Sequence, residues 1–259
     1  MRSQSLALAA LFLVLADGAA AQSPSDRVVD SIQVDSALRT YVAHVPAARG
    51  RRPLLLAFHG AGGTGAGMQS FSGLDRAAGD AGFVILYPNA ALVNWAEGCG
   101  CGIADRLAVN DTGFVAALIT RAVDRYQVDP ARVYAVGYSQ GGLFATRLAC
   151  EMSDRVRAVA IVAAAMSAPL AARCRPERLV PVLFVQGADD NTYPAAGSGE
   201  GRLHLLSIAE AAERWRELNG CAPASPCPVR LHLVAGGTHH WRPRPEFATA
   251  DTVVAFLTR

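Results

Sequence analysis

Six strand-like apolar runs, at 53–58, 83–87, 133–136, 156–162, 182–185 and 231–234, alternate with stretches whose apolar residues recur every three or four positions. A run without polar alternation suits a strand covered on both faces, and the intervening pattern predicts helices over 68–81, 112–126, 141–151, 203–219 and 245–258. Strand and helix in strict alternation predict an α/β fold: a mainly parallel central sheet with helices on both faces, because parallel neighbours need crossover connections. Ahead of these elements, 40–45 alternates as a half-buried strand would, and the polar stretch 22–30 is expected to fray. In such sheets a ligand sits outside the carboxyl ends of the strands.

With 259 residues, 51% of them hydrophobic and 18% charged, the chain can bury one large core, so 22–259 is read as a single domain. The formal net charge of +2 and the absence of a basic run argue against a nucleic-acid surface and for a small or neutral ligand. Residues 1–21 run from Arg2 through the apolar stretch 6–15 to Ala19, Ala20 and Ala21, the order of a cleavable secretory signal. No later stretch offers about 20 uninterrupted apolar residues, so no membrane anchor is expected, and the exported chain is read as a monomer, secreted or periplasmic.

Export permits disulfides, and there are six cysteines. Cys221 and Cys227 flank a short Pro-containing loop and are expected to close it. Cys99 and Cys101 stand one glycine apart, so bridges from this pair to Cys150 and Cys174 are expected, in an order left open. Cys-x-Cys lacks the spacing of zinc sites and has no nearby His at ligand spacing, so neither a metal nor any other cofactor is expected.

The chemistry concentrates in Gly137-Tyr138-Ser139-Gln140-Gly141, which follows the run 132–136 and precedes an apolar helical pattern. This matches a nucleophile elbow: glycines allow a sharp strand-to-helix reversal that projects the serine hydroxyl. A serine needs a base to take its proton and a carboxylate to orient that base. Two acids, Asp189 and Asp190, end the run at 182–185, and two histidines, His239 and His240, follow the last run; only one of each pair can serve. His44 and His232 fall within strand patterns and His204 within a helical one, where packing or surface roles are expected. His59 ends a strand before the Gly-rich loop Gly60-Ala61-Gly62-Gly63 and is expected to hold that loop. Backbone N–H groups of Gln140 and Ala61 are the candidate oxyanion donors.

With these segments in order, nearly the whole chain resembles the secreted α/β-hydrolase esterases that include feruloyl esterases and polyhydroxybutyrate depolymerases. Val109-Asn110-Asp111-Thr112-Gly113-Phe114 is similar to that family's acidic motif at a helix start, where Asp111 is read as the helix cap. The resemblance implies Ser139, Asp190 and His239 as the catalytic set, with Asp189 as fallback; Thr238 and Gln186 depart from the family pattern. It also implies feruloyl or acetyl esters of plant polysaccharide as substrates, with a hydroxyalkanoate polymer as the alternative. Trp95, Tyr138 and Trp241 are candidate walls for the acyl group. A peptidase, an acyltransferase or a non-catalytic carbohydrate-binding protein are the remaining alternatives.

Overall fold

The computed structural model describes residues 27–47, 50–199, 203–222 and 226–259, so the signal-like segment 1–21 lies outside the described residues. Eight strands form one sheet: β1 (Arg27–Val34), β2 (Ala37–His44), β3 (Arg52–Phe58), β4 (Val84–Pro88), β5 (Val128–Tyr138), β6 (Ala158–Val162), β7 (Val182–Gly187) and β8 (Val229–Val234). Their order is β1-β2-β4-β3-β5-β6-β7-β8, antiparallel in the first two pairings and parallel in the remaining five. Of the stretch 22–30 expected to fray, 22–26 lie outside the described residues and 27–30 instead open β1, which forms an antiparallel hairpin with β2 whose turn has Asp35 at φ 51°.

The apolar runs follow from the two faces of this sheet. Along β3, Leu54, Leu56 and Phe58 enter one core and Leu55 and Ala57 the other; along β5, Val133 and Ala135 oppose Tyr134 and Val136 in the same way. Helices α4 (Asp111–Tyr126), α5 (Gln140–Glu151), α6 (Ala168–Arg173) and α7 (Ile208–Leu218) cover the first face. Helices α1 (Gly65–Ser72), α2 (Leu74–Asp80) and α8 (Thr249–Leu257) cover the second, and α3 (Ile103–Arg106) is a short turn in the loop after β4. A period of 2 with both faces apolar is therefore what reads as an unbroken hydrophobic run.

Several boundaries differ from the sequence expectations for local reasons. Gly73, at φ 72°, ends α1 and begins α2, dividing the helix expected over 68–81. Helix α7 starts later than residue 203 because Ser207 and Glu210 form a capping box; His204 precedes the helix. Asp111 is not the cap of α4. That role falls to Asn110, whose side chain accepts from Gly113 N–H, while Asp111 is fully buried and pairs with Arg39 at 2.6 Å.

Cys221 and Cys227 close their loop as expected. The other four cysteines do not cross-pair: Cys99 bonds Cys101, and Cys150 bonds Cys174. Gly98 and Gly100, at φ 87° and 72°, turn the chain tightly enough to bring the Cys99 and Cys101 Cα atoms to 5.2 Å. Cys150, near the end of α5, meets Cys174 just after α6, so these two are already neighbours. Among the described residues no helix is long and apolar enough to cross a membrane.

Candidate active site

Strand order reverses at β3, which runs to β4 on one side and to β5 on the other, so the loops after β3 and β5 diverge and leave a crevice. Ser139 stands there, between β5 and the first residue of α5, with φ 55° and ψ −125°. A non-glycine residue in that conformation costs on the order of 1–3 kcal/mol and persists only when its surroundings impose it. Here the imposition is visible: Ser139 N–H donates to Val162 O at 2.9 Å, and Ser139 O accepts from Gly142 N–H at 2.8 Å. A side chain at Gly137 would collide with the Gly141 carbonyl, and one at Gly141 with the carbonyls of Phe58 and His59. Both glycines are thus required by the close approach of β5, α5 and β3.

The carboxyl ends of β7 and β8 bring up the other two groups. His239 Nε2 lies 2.9 Å from Ser139 Oγ, and His239 Nδ1 lies 2.7 Å from Asp190 Oδ2. With Nδ1–H donating to the carboxylate, Nε2 is left to accept the serine proton. Asp190 is nearly fully buried and saturated with donors: Oδ2 also accepts from Gln186 Nε2 at 2.9 Å, and Oδ1 accepts from Thr192 and Tyr193 N–H, both at 2.8 Å. Asp189 and His240 are exposed and stay outside this relay. Gln186, which departs from the family pattern, braces the acid by donating through its amide.

The loop after β3 closes the other side. Gly60 packs against Ser139 and Tyr138. Gly62 and Gly63 N–H are taken by Val93 O and Gly60 O, whereas Ala61 N–H has no partner among the described residues; Gln140 N–H is one of those that a helix start leaves free. His59 holds this loop from beneath: its Nε2 accepts from Ala90 N–H at 3.2 Å, so Nδ1 carries the proton and donates to Gly60 O at 2.7 Å. Burial pushes its pKa below the ordinary value, keeping the ring neutral. Trp95 is not a wall of the crevice. It is fully buried, stacked on Phe144 at 5.0 Å, with Nε1–H donating to His59 O at 2.9 Å.

Tyr138 and Trp241 do line an open cleft of about 620 Å³ beside His239, together with Phe71, His240 and Arg242. Tyr138 hydroxyl donates to His239 O at 3.1 Å, and Trp241 Nε1–H to Ser72 O at 2.8 Å.

Three residues of this site escape sequence reasoning. Tyr193 packs edge-on to His239, ring centroids 5.3 Å apart; burial, with Glu97 nearby, pushes its hydroxyl up to about 12. Glu97 is buried and accepts from Gln140 Nε2 at 3.3 Å, while Gln140 Oε1 accepts from Trp95 N–H at 3.2 Å. Burial, reinforced by Asp105, raises the Glu97 carboxyl to about 7. Phe71 is the third, 47% exposed although apolar, edge-on to both Tyr138 and Trp241. An exposed Phe in a helix carries no periodic signal, and neither loop residue belongs to a motif.

The sheet topology agrees with the comparisons to known proteins. The family model described as alpha/beta hydrolase fold matches residues 53–178. The candidate esterase NocK of Nocardia uniformis subsp. tsuyamanensis is 34% identical over 272 residues, spanning 85% of this chain and 79% of NocK. This chain belongs to the α/β-hydrolase family. Within the same family, feruloyl esterase B of Piromyces equi is 27% identical over 180 residues, which span 65% of this hydrolase and 33% of that longer protein. The acetyl xylan esterase from Aspergillus awamori superposes with a TM-score of 0.63 over 89% of this chain and 99% of its own, at 13% identity, a likeness of fold.

Proposed function

We propose that this α/β-hydrolase is an exported serine carboxylesterase acting through an acyl-enzyme. The observation that carries the reading is the continuous relay Ser139 Oγ, His239 and Asp190, with contacts of 2.9 and 2.7 Å. His239 takes the Ser139 proton as Oγ attacks the ester carbonyl, and the Ala61 and Gln140 N–H groups receive the negative charge that develops on the carbonyl oxygen. His239 then protonates the leaving alcohol. Water, deprotonated by the same imidazole, attacks the acyl-enzyme and releases the acid. Asp190 keeps the ring in the tautomer that accepts at Nε2.

The favoured substrates are feruloyl or acetyl esters of plant polysaccharide. The relatives named for such activities support this, and so does the aromatic cleft of Phe71, Tyr138 and Trp241, whose size suits a hydroxycinnamoyl group. Three disulfides and the signal-like order of residues 1–21 support export.

The test is a panel of methyl ferulate, acetylated xylan, and short and polymeric hydroxybutyrate, run with the wild type and Ser139→Ala, with separate samples of each protein exposed to a fluorophosphonate label. Labelling and hydrolysis of the first two substrates, both lost in the variant, are expected. Labelling that survives in Ser139→Ala overturns the mechanism, and preference for the polymer overturns the substrate class.

A further inference from the structure

Behind Gln140 lies a cluster that the ester chemistry does not use. Glu97 Oε1 is 3.3 Å from Cys99 Sγ and 3.8 Å from Cys101 Sγ, and Asp105 Oδ2 is 3.4 Å from Cys99 Sγ. The ligand atoms of Glu97, Cys99 and Cys101 all fall within 4.8 Å of one another. While the two sulfurs are bonded they have no proton to give, so neither sulfur acts as a donor to the carboxyl oxygen beside it. The same separations suit a shared cation. With metal–sulfur bonds of about 2.3 Å and metal–oxygen bonds of about 2.1 Å, tetrahedral zinc holds its sulfur and oxygen ligands about 3.6 Å apart.

The loop is also built to survive without its S–S bond. Asp105 accepts from Gly98 N–H at 3.0 Å and from Gly100 N–H at 3.2 Å, Arg173 donates to Gly98 O and Arg106 to Cys101 O, both at 2.5 Å. Cys101 N–H points at Cys99 Sγ at 3.0 Å, a donor that favours a thiolate there. A bridge across one intervening residue removes little chain entropy from the unfolded state, so opening it costs the fold little. Cys150 and Cys174, by contrast, are buried and close a separation of 24 residues.

We propose that Cys99, Cys101 and Glu97 form a redox-gated site for one thiophilic divalent cation of the zinc class, in a loop that Asp105 braces. A small dithiol reductant transfers two electrons and two protons to the Cys99–Cys101 bond and becomes a cyclic disulfide, leaving two thiols. Binding of the cation forms two metal–sulfur bonds and releases the two thiol protons to water, with a Glu97 oxygen and a water as the remaining ligands. The sulfurs separate to about 3.8 Å in the process, the span of two thiolates on tetrahedral zinc. Glu97 engages through Oε1 and keeps Oε2 for Gln140, so occupancy is felt one residue from Ser139.

The experiment uses the full chain, in the wild type and in Ser139→Ala, reduced by a dithiol that is then removed and titrated with Co2+ as the probe ion and with Zn2+ as its competitor. The expected result is one Co2+ per chain in both proteins, with a sulfur-to-cobalt charge-transfer band that Zn2+ abolishes. The band should be missing from the oxidised chain and from C99S/C101S, retained in C221S/C227S, and at least about tenfold weaker in apparent affinity in E97Q, the usual scale for losing one supporting ligand. A reduced wild type without the band, a band that persists in C99S/C101S, or a bridge that opens only when circular dichroism shows unfolding would each overturn the proposal. Because Ser139→Ala binds the ion equally, failure of the esterase reading and failure of this one give different results.

Discussion

His239 Nε2 approaches Ser139 Oγ to 2.9 Å across 100 residues of chain, and the sheet makes that approach: β5 and β8 both end at the same edge, with β6 and β7 between them. Removing the hydroxyl should therefore abolish chemistry without touching the fold. Ser139→Ala is expected to lower kcat by about 10⁶-fold, and Asp190→Asn by about 10⁴-fold because an amide favours the wrong tautomer of His239. Steady-state kinetics on a chromogenic short-chain ester, beside unchanged circular dichroism, checks both. Loss of less than about tenfold in either variant would remove that residue from the relay.

The strain at Ser139 makes a separate prediction. At φ 55° and ψ −125° any side chain is held in a region that glycine enters freely. Ser139→Gly should thus exceed Ser139→Ala in stability, by about 1 kcal/mol once the lost chain entropy of glycine is set against the relief of about 1–3 kcal/mol. Urea unfolding of the two inactive variants measures the difference directly; a less stable glycine variant would mean that the elbow is unstrained.

What could be read from the chain in advance was whatever repeats or depends on neighbours. The runs at 54–58 and 133–136 announce strands because every residue is buried on one face or the other, and the elbow announces itself because Gly137 answers the carbonyl of Gly141 four residues on, although Gly141 answers the distant carbonyls of Phe58 and His59. Strand β1 stayed hidden because Asp30, Ser31 and Gln33 interrupt its apolar residues so that 27–34 reads as a loop. Glu97 and Tyr193 were invisible for a different reason. Their place beside Gln140 and His239 is set by loops that meet only in three dimensions, and no spacing along the chain records such a meeting. The Cys221–Cys227 bridge was legible, but the cross-pairing expected of the other four cysteines was not met, because the left-handed backbone at Gly98 and Gly100 lets Cys99 reach Cys101 across a single residue.

Asp111 sits under the site with no exposure, paired with Arg39 at 2.6 Å and accepting from Ala96 N–H at 2.8 Å, which fixes the chain next to Trp95. Breaking a buried pair leaves a lone charge in the core, so Asp111→Ala or Arg39→Ala alone should cost about 3–5 kcal/mol. Replacing both, as Asp111→Leu with Arg39→Met, should cost less than either single change because neither charge is then stranded. Denaturant midpoints of the four proteins test the comparison, and a double variant worse than both singles would contradict this account.

Phe71 offers a way to read the acyl preference. Its ring stands edge-on to Tyr138 and Trp241 at 5.8 and 6.4 Å, over the cleft. An aromatic acyl group in that cleft would gain about 0.5–1.5 kcal/mol from such a neighbour, a factor of about 2–13 in KM. Phe71→Ala should raise KM for methyl ferulate by that factor and leave an acetyl ester within about twofold. Equal effects on the two substrates would place the acyl group elsewhere.

The last prediction concerns acid. Burial holds the folded-state pKa of His59 below its ordinary 6.5, so between those two values the unfolded chain binds a proton that the folded chain refuses. Stability must then fall as pH drops below about 6.5, and no contribution of this kind exists above it. His59→Gln keeps a donor and an acceptor for Gly60 O and Ala90 N–H while removing the titration. The variant is expected to be less stable than the wild type near neutrality, through imperfect geometry, with the gap in Tm narrowing from about pH 8 to about pH 5. All other histidines are common to both proteins and cancel in that difference. A gap that stays constant or widens on acidification would show that the imidazole beneath the Gly-rich loop takes up its proton while folded.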